Sequence, residues 1–567
     1  MKMTSMTFSL VIQIIFLGSI VACGGGGGGG NEDADIPQAS TLKLATLDLS
    51  IGQVNELLSS NNTSYTSTMA YMTESIEIRA SAEDGASVIV NGEIVNAETS
   101  SSTIALQEGS NFIDIDVVSS DGTQSRNYTL DVTRQTQKRF SQSLFIKETD
   151  PKEHGSFGTD AVIDGDTMAI ATRRDVHIYE NNNGNWELKT ILEPTHETSI
   201  GTDLSLENGT LVVGMRWEDT GVGGINQTQT DQEIPNSGAV YVYVKVDNEW
   251  TLQAHIKSEV PAEWEQFGTD VAISGNTLVI GAIGHPNSVP ENTLNGFVYD
   301  AGSAYVYERT DEVWSFVTKL TAPYPTGGDR YGNTVAIDEN IIAIGAYKED
   351  SDAQGLNGNQ DSNIGPDSGA VFIYENLANE WTLRTYLKPA DSKLATEFGN
   401  AVKLHGDLLF VAAHRESEDP DGFDYGGGVY IFSKSAGWSE IALLKPDKEI
   451  YLFGECIATN GNLLAVGASF ENGRGSGITP DHHTSFQNHA GAIILFENQN
   501  GSWNQVATLK PSNTRWEAHF GDKCSITDNF VIVPFADEGS SGFGVNPSQS
   551  IFDPLDYSGA VYIYPIN

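Results

Sequence analysis

Clusters of oxygen-bearing side chains are the first features of this sequence that could do chemistry. Glu349, Asp350, Asp352, Asp361 and Asp367 fall in one Asn- and Gly-rich stretch, where several carboxylates could wrap a hard cation such as Ca2+. Glu418, Asp419, Asp421 and Asp424 repeat the theme. Neither spacing matches a fixed cage, so a solvated acidic loop competes with a metal site at both places, and no cofactor is implied. Asp481, His482, His483 and His489 could ligate a transition metal, but adjacent histidines point different ways and no cysteine assists. Asp160, Asp203 and Asp270 are more regular, each three residues after the apolar member of an apolar-Gly pair. Acids paired in a channel mouth, such as Asp160 and Asp203, could serve a polysaccharide hydrolase or lyase. A hydrogen-bonding role in a turn competes. The chain lacks a G-x-S-x-G elbow, a P-loop, a dinucleotide fingerprint and an S-x-D-x-G-x-x-W box, so no catalytic residue is expected.

The elements that must position these residues repeat. Phe157-Gly158, Ile200-Gly201, Phe267-Gly268, Tyr331-Gly332, Phe398-Gly399, Phe453-Gly454 and Phe520-Gly521 recur at intervals of 43 to 67 residues. After each comes a strand-like run and a tight turn such as Ser274-Gly275-Asn276. An apolar run such as TLVIGA follows, then a variable loop and a GAVYVY-like run. A strand led by Trp186, Trp250, Trp314, Trp381, Trp438 or Trp503 closes the unit, mostly near Leu-Lys-Pro. Repeats of this length mean one supersecondary unit each. Seven four-stranded antiparallel units predict an all-β, seven-bladed β-propeller over residues 139–567. The second run, almost wholly apolar, suits a strand buried on both faces, and the Trp suits packing between sheets. The chain stops one strand short at GAVYIYPIN, while Phe140–Lys147 stands where Trp503–Lys510 stands. The N-terminal strand is therefore expected to complete the last blade.

The long loops after the second strand should crowd one face, the expected surface for a protein or glycan ligand. Trp217, His285, Tyr299, Phe423, Tyr425 and Phe486 are its binding candidates.

These motifs resemble the FG-GAP repeats of the integrin α-subunit propeller and of bacterial FG-GAP proteins. The resemblance implies a propeller with a binding or adhesion role. Its D-x-D-x-D-G-x-x-D calcium loop has no counterpart, because turns such as Asp164-Gly165-Asp166 and Thr527-Asp528-Asn529 stand in its place. Integrin-type calcium binding is not carried over.

Ahead of the repeats, residues 42–135 alternate apolar and polar positions between turns such as Asn91-Gly92 and Asp121-Gly122, as in a small antiparallel β-sandwich. LATL, SVIVNG, LQEGSNFIDIDVVSSDG and YTLDVTR resemble the bacterial cadherin-like β-sandwich, which implies a spacer or adhesive module. Residues 1–22 carry Lys2 and an apolar run too short for a comfortable membrane span, as in a signal peptide. Ile20-Val21-Ala22-Cys23 resembles the lipobox of bacterial lipoproteins, which implies a diacylglycerol on Cys23. The glycines of 24–30 lead a flexible linker to residue 41. Gly24 after the Cys resembles the outer-membrane-sorted pattern of Gram-negative bacteria.

Acids outnumber bases 76 to 31, for a formal charge of −45, which disfavours nucleic acid and anionic lipid surfaces as partners. Membrane contact is expected through the lipid alone, and the protein is expected to be a monomer. Cys456 lies three residues after its Phe and Cys524 four after its own. Neighbouring strand positions face opposite sides, which favours two separate buried thiols over a disulfide. The expected function is that of an outer-membrane lipoprotein serving as a binding or adhesion scaffold. The alternatives are a propeller-based polysaccharide hydrolase or lyase and a purely structural envelope protein.

Overall fold

Alternation along Gly109–Val118 puts Ile113, Ile115 and Val117 inside and leaves Phe112 and Asp114 outside, as a half-buried strand requires. A computed structural model describes residues 42–566 except for short stretches, chiefly 70–74, 135–139, 150–155, 195–201, 289–296, 417–425, 479–488 and 547–557. It divides into two units, Met1–Thr136 and Gln137–Asn567. The described residues are all-β apart from one 3-10 turn at Glu83–Gly85.

The first unit is a β-sandwich. Its larger sheet runs Ser64–Met69, Ser125–Arg134, Gly109–Val118, Ser87–Val90, Glu93–Val95, and Leu44–Leu49 pairs separately with Ile78–Ala82. Ile78, Ile115, Leu130 and Val132 fill the space between, all fully buried. The sandwich is not wholly antiparallel: Ser64–Met69 runs parallel to Thr129–Arg134 at the sheet edge. Its partner arrives from elsewhere in the chain rather than through a hairpin, which the alternation alone could not reveal.

Among the described residues the second unit holds seven sheets of four or five strands, plus a two-stranded ribbon at Asn287–Ser288 and Phe297–Val298. The third sheet is typical: Phe267–Ser274, Thr277–Ala282, Ser303–Thr310 and Val313–Leu320, antiparallel in sequence order. Second strands such as Thr210–Met215, Ile341–Ala346 and Leu463–Ala468 are buried at every position, because sheets cover both of their faces. In six sheets the third and fourth strands slip register at one equivalent place, for example between Val306 and Tyr307. Such bulges add local twist to the outer strand.

The last sheet draws on both ends of the unit. Leu144–Lys147 pairs with Ala560–Pro565, with Leu144 opposite Ile563 and Ile146 opposite Val561, and all four residues of the short strand are buried. Each first strand packs on the first strand of the next sheet, and Ser525–Ile526 of the last packs on Asp160–Asp164 of the first.

Close backbone approach explains the recurring glycines of the repeats. Gly238 has φ +80° and bridges Phe267 of the next sheet; a Cβ there would stand 2.1 Å from the Phe267 carbonyl oxygen. The same parallel bridge joins Gly559 to Phe157. At Gly281 a Cβ would meet the Gly332 oxygen at 2.0 Å, so the Gly-Ala of the second strand marks where the neighbouring Phe-Gly or Tyr-Gly is seated.

Candidate functional site

In the first four sheets the third residue after the start of the apolar-Gly pair reaches across to the next sheet. Asp160 Oδ2 accepts the Leu204 amide at 2.8 Å, and Asp203 Oδ2 accepts the Val271 amide at 3.0 Å. Asp270 accepts the Val335 amide, and Thr334 Oγ1 accepts the Val402 amide at 3.4 Å. The recipient is always the fourth residue after its own aromatic-Gly start. A second belt runs at the hairpin turns, where Asp164 takes the Asn208 amide at 2.6 Å and Asp338 takes that of Gly406 at 2.6 Å. Glu207 takes the Gly275 amide in the same belt. The regularly spaced aspartates are therefore clips between first strands, each meeting a backbone donor that would otherwise lack a partner.

Cys456 and Cys524 are joined, which corrects the reading of two separate thiols. Cys456 occupies the donor-seeking third position of the sixth sheet and Cys524 the receiving fourth position of the seventh. Strand parity relates side chains along one strand only. Across the seam the third position of one sheet faces the fourth position of the next, so the unequal offsets are what bring the sulfurs together.

The first strands surround a cavity of about 510 Å3 whose polar lining includes Asp160, Asp203, Asp270, Asn333, Asn400, Glu455 and Lys523. Lys523 donates to Asp203 Oδ1 at 2.9 Å. Burial works against the Asp203 carboxylate, but Lys523, a hydrogen bond with Asp270 and the Val271 amide outweigh it and hold the group below its ordinary range. Burial, with the charge of Asp203, pushes Asp270 well above that range, so Asp270 serves as the protonated partner in their hydrogen bond. Burial pushes Asp160 up to about 6 despite the attraction of Lys523. Burial and the neighbouring Asp522 push Glu455, also in the lining, up to about 7, and the buried Ser469 hydroxyl bonds to Glu455.

The long loops are fixed at their roots by a device that spacing arguments missed. Four lysines at the ends of outer strands, Lys147, Lys257, Lys388 and Lys510, are wholly buried and pair with Glu538, Glu218, Glu349 and Glu471. Each Glu opens the loop after a second strand. Its backbone carbonyl accepts the amide of the Gly that closes the same loop: Gly559, Gly238, Gly369 and Gly491, at 2.7 to 2.9 Å. The Ser before that Gly completes the cluster in three sheets, with Lys388 Nζ 2.6 Å from Ser368 Oγ, Lys147 Nζ 2.7 Å from Ser558 Oγ and Lys257 Nζ 3.1 Å from Ser237 Oγ. Burial pushes Lys257, Lys388 and Lys510 below the usual lysine range, against the pull of their glutamates. The signal was available: the Glu stands four residues after the Gly of the second strand in these loops, except that Glu538 follows Pro534.

The predicted site residues divide accordingly. Glu349 is spent on Lys388 and Tyr386. Asp350 Oδ1 accepts the Asp367 amide at 2.8 Å, and Asp367 lies 3.6 Å from Lys348, while Asp352 and Asp361 are exposed. No three His, Cys, Asp or Glu side chains are gathered for a metal among the described residues. Trp217 is exposed, with the Arg216 guanidinium 4.5 Å from its ring centre. His489 stacks on His519 and packs on Phe470. Cys23, His285, Tyr299, Glu418, Asp419, Asp421, Phe423, Asp424, Tyr425, Asp481, His482, His483 and Phe486 lie outside the described residues.

Comparison with known families places two modules on this geometry. Residues 44–135 match the cadherin-like beta sandwich domain. Residues 250–307 and 314–374 each match the FG-GAP repeat. Each matched repeat runs from a Trp-bearing outer strand through the first three strands of the following sheet, an offset of one strand. No curated protein matches the chain.

Proposed function

The chain carries a cadherin-like β-sandwich followed by FG-GAP repeats, and on that premise we propose that it is an outer-membrane lipoprotein whose second unit is a closed seven-bladed propeller. The propeller serves as a binding or adhesion scaffold for a protein or glycan, held away from the lipid anchor at Cys23 by the Gly-rich linker and the sandwich. The clips between successive first strands and the bridge from Gly559 to Phe157 support closure. The Cys456–Cys524 bond supports an exported location, since disulfides persist in oxidising compartments.

One observation carries the binding role. Buried Lys–Glu pairs lock the roots of four long loops, and each span is tied once more to its outer strand, through Gly224–Ile225, Leu356, Gly477–Ile478 or Gly544–Val545. Loops anchored in this way on a rigid scaffold are the arrangement by which loops acquire ligands. Replacing the long loops one at a time by short Gly-Ser links tests it: a loop whose loss abolishes attachment to a cell surface or glycan, with melting unchanged, supports the reading. Attachment indifferent to every replacement rejects it. Cys23→Ala should move the protein out of the membrane fraction, and unchanged sedimentation would refute lipidation.

A second reading rests on the acid pair at the cavity. Asp160 pushed up to about 6 beside Asp203 held low is the separation that divides a general acid from a carboxylate. Both groups already bind backbone amides, which favours the scaffold. Turnover of a polysaccharide that Asp160→Asn abolishes would reverse that preference.

A further inference from the structure

The clip at the third position fails at three consecutive seams. On the fifth sheet the position is Ala401, which has no acceptor to offer, on the sixth it is Cys456, and on the seventh it is Lys523, a donor that turns to Asp203. The first strands that meet at the second of these seams are also the shortest of the seven, Ile457–Thr459 and Ser525–Ile526, against eight residues in Phe267–Ser274 and in Phe398–His405. Fewer ladder hydrogen bonds therefore hold them to their own sheets. The residues beside the cysteines add a load. Glu455 and Asp522 stand at the second position, where the other repeats have Thr or Asn, and the Asp522 charge raises the cost of ionising Glu455.

The bond lies on the cavity wall, with Cys456 and Cys524 both in its lining. It is also tightly seated: a Cβ on Gly467 would meet Cys456 Sγ at 2.7 Å. We infer that Cys456–Cys524 is a redox latch. Intact, it replaces the missing hydrogen-bond clip between the sixth and seventh sheets; reduced, it releases the two short strands toward the cavity. Release consumes a dithiol: two electrons and two protons pass to the sulfurs, the chain gains two thiols, and the reductant leaves as its own disulfide. The reverse exchange closes the latch. The inference is independent of the ligand-binding reading, since it concerns the seam alone.

Hydrogen–deuterium exchange on the full chain, with and without dithiothreitol at neutral pH, tests it. A mass gain of about 2 Da reports reduction of the one bond. The expected result is exchange at least about tenfold faster in segments 455–459 and 522–526, unchanged exchange in 202–207 and 267–274, and recovery on reoxidation. Cys456→Asp with Cys524→Val re-creates the Asp270–Val335 pairing. That variant should keep both segments protected and ignore dithiothreitol, whereas C456S/C524S should exchange fast without reductant. Unchanged protection in the reduced chain overturns the latch, as does resistance of the bond to dithiothreitol in the folded protein. Loss of protection throughout the second unit would make the bond a global staple and also overturn it.

Discussion

Cys456 and Cys524 hold the Cα atoms of two neighbouring first strands 5.9 Å apart, in the relation that Asp270 and Val335 hold through a hydrogen bond. One position in the repeat thus does one job by three chemistries: carboxylate to amide, hydroxyl to amide, and sulfur to sulfur. The covalent version closes a span of 68 residues. Chain entropy for a loop of that size is worth roughly 4 kcal/mol. The C456S/C524S variant should therefore unfold at clearly lower urea concentration than the oxidised chain, and an unchanged midpoint would mean that the seam is held by other contacts.

The hydrogen-bonded clips make a graded prediction. Asp270→Ala leaves the Val335 amide without its acceptor and should cost about 1–3 kcal/mol. Asp270→Asn should cost much less, since the amide oxygen still accepts and the NH2 group still donates to Asp203. Equal losses in urea titrations of the two variants would contradict the assigned role.

Lys147 and Glu538 join the N-terminal strand of the last sheet to the root of its long loop, and neither is exposed by more than 1%. Lys147→Met alone strands a buried carboxylate and should cost about 3–5 kcal/mol. The double variant K147M/E538L should recover most of that loss. If the double variant is as unstable as the single, the pair is not an isolated unit. The hydrogen bond from Asn513 to Glu538 would be the next contact to remove.

Asp160 gives a pH dependence with a definite sign. Its carboxyl rises from 3.8 to about 6 on folding, mainly through burial. Between those values the folded chain binds more protons than the unfolded chain, so this contribution is complete below pH 4 and is lost as pH rises through 6. Asp160→Asn removes this pH dependence. Its stability relative to wild type should improve steadily from pH 4 to pH 7 in urea titrations, and a constant difference would show that Asp160 does not titrate there.

Much of the scaffold was legible in the sequence because hydrophobic runs, turns and aromatic-Gly pairs repeat in order, and a buried strand has little freedom in spelling. The pairing of Leu144–Lys147 with the C-terminal strand followed from counting Trp-led strands. Three things were not legible. The aspartates were seen as regular, but their partners are backbone amides of the next sheet, which carry no sequence signature. The Lys–Glu pairs join a position in the outer strand, Trp-led in three of the four cases, to the first turn of a variable loop, and the variability hid the fixed Glu. The disulfide was misjudged because strand parity governs one strand, while the sulfurs meet across a seam. Of the acidic loops, the 347–368 stretch resolves into Glu349 serving Lys388 and Asp350 capping the Asp367 amide.

The central claim is that the N-terminal strand of the second unit clasps the last sheet and so closes the ring of seven. Amide exchange at Val561, Tyr562 and Ile563, compared between the full chain and one lacking residues 137–150, tests it most directly. Closure predicts exchange at these amides faster by about a hundredfold or more in the shortened chain, with loosening that spreads to the Asp160–Asp164 strand. Equal protection in the two chains would contradict it.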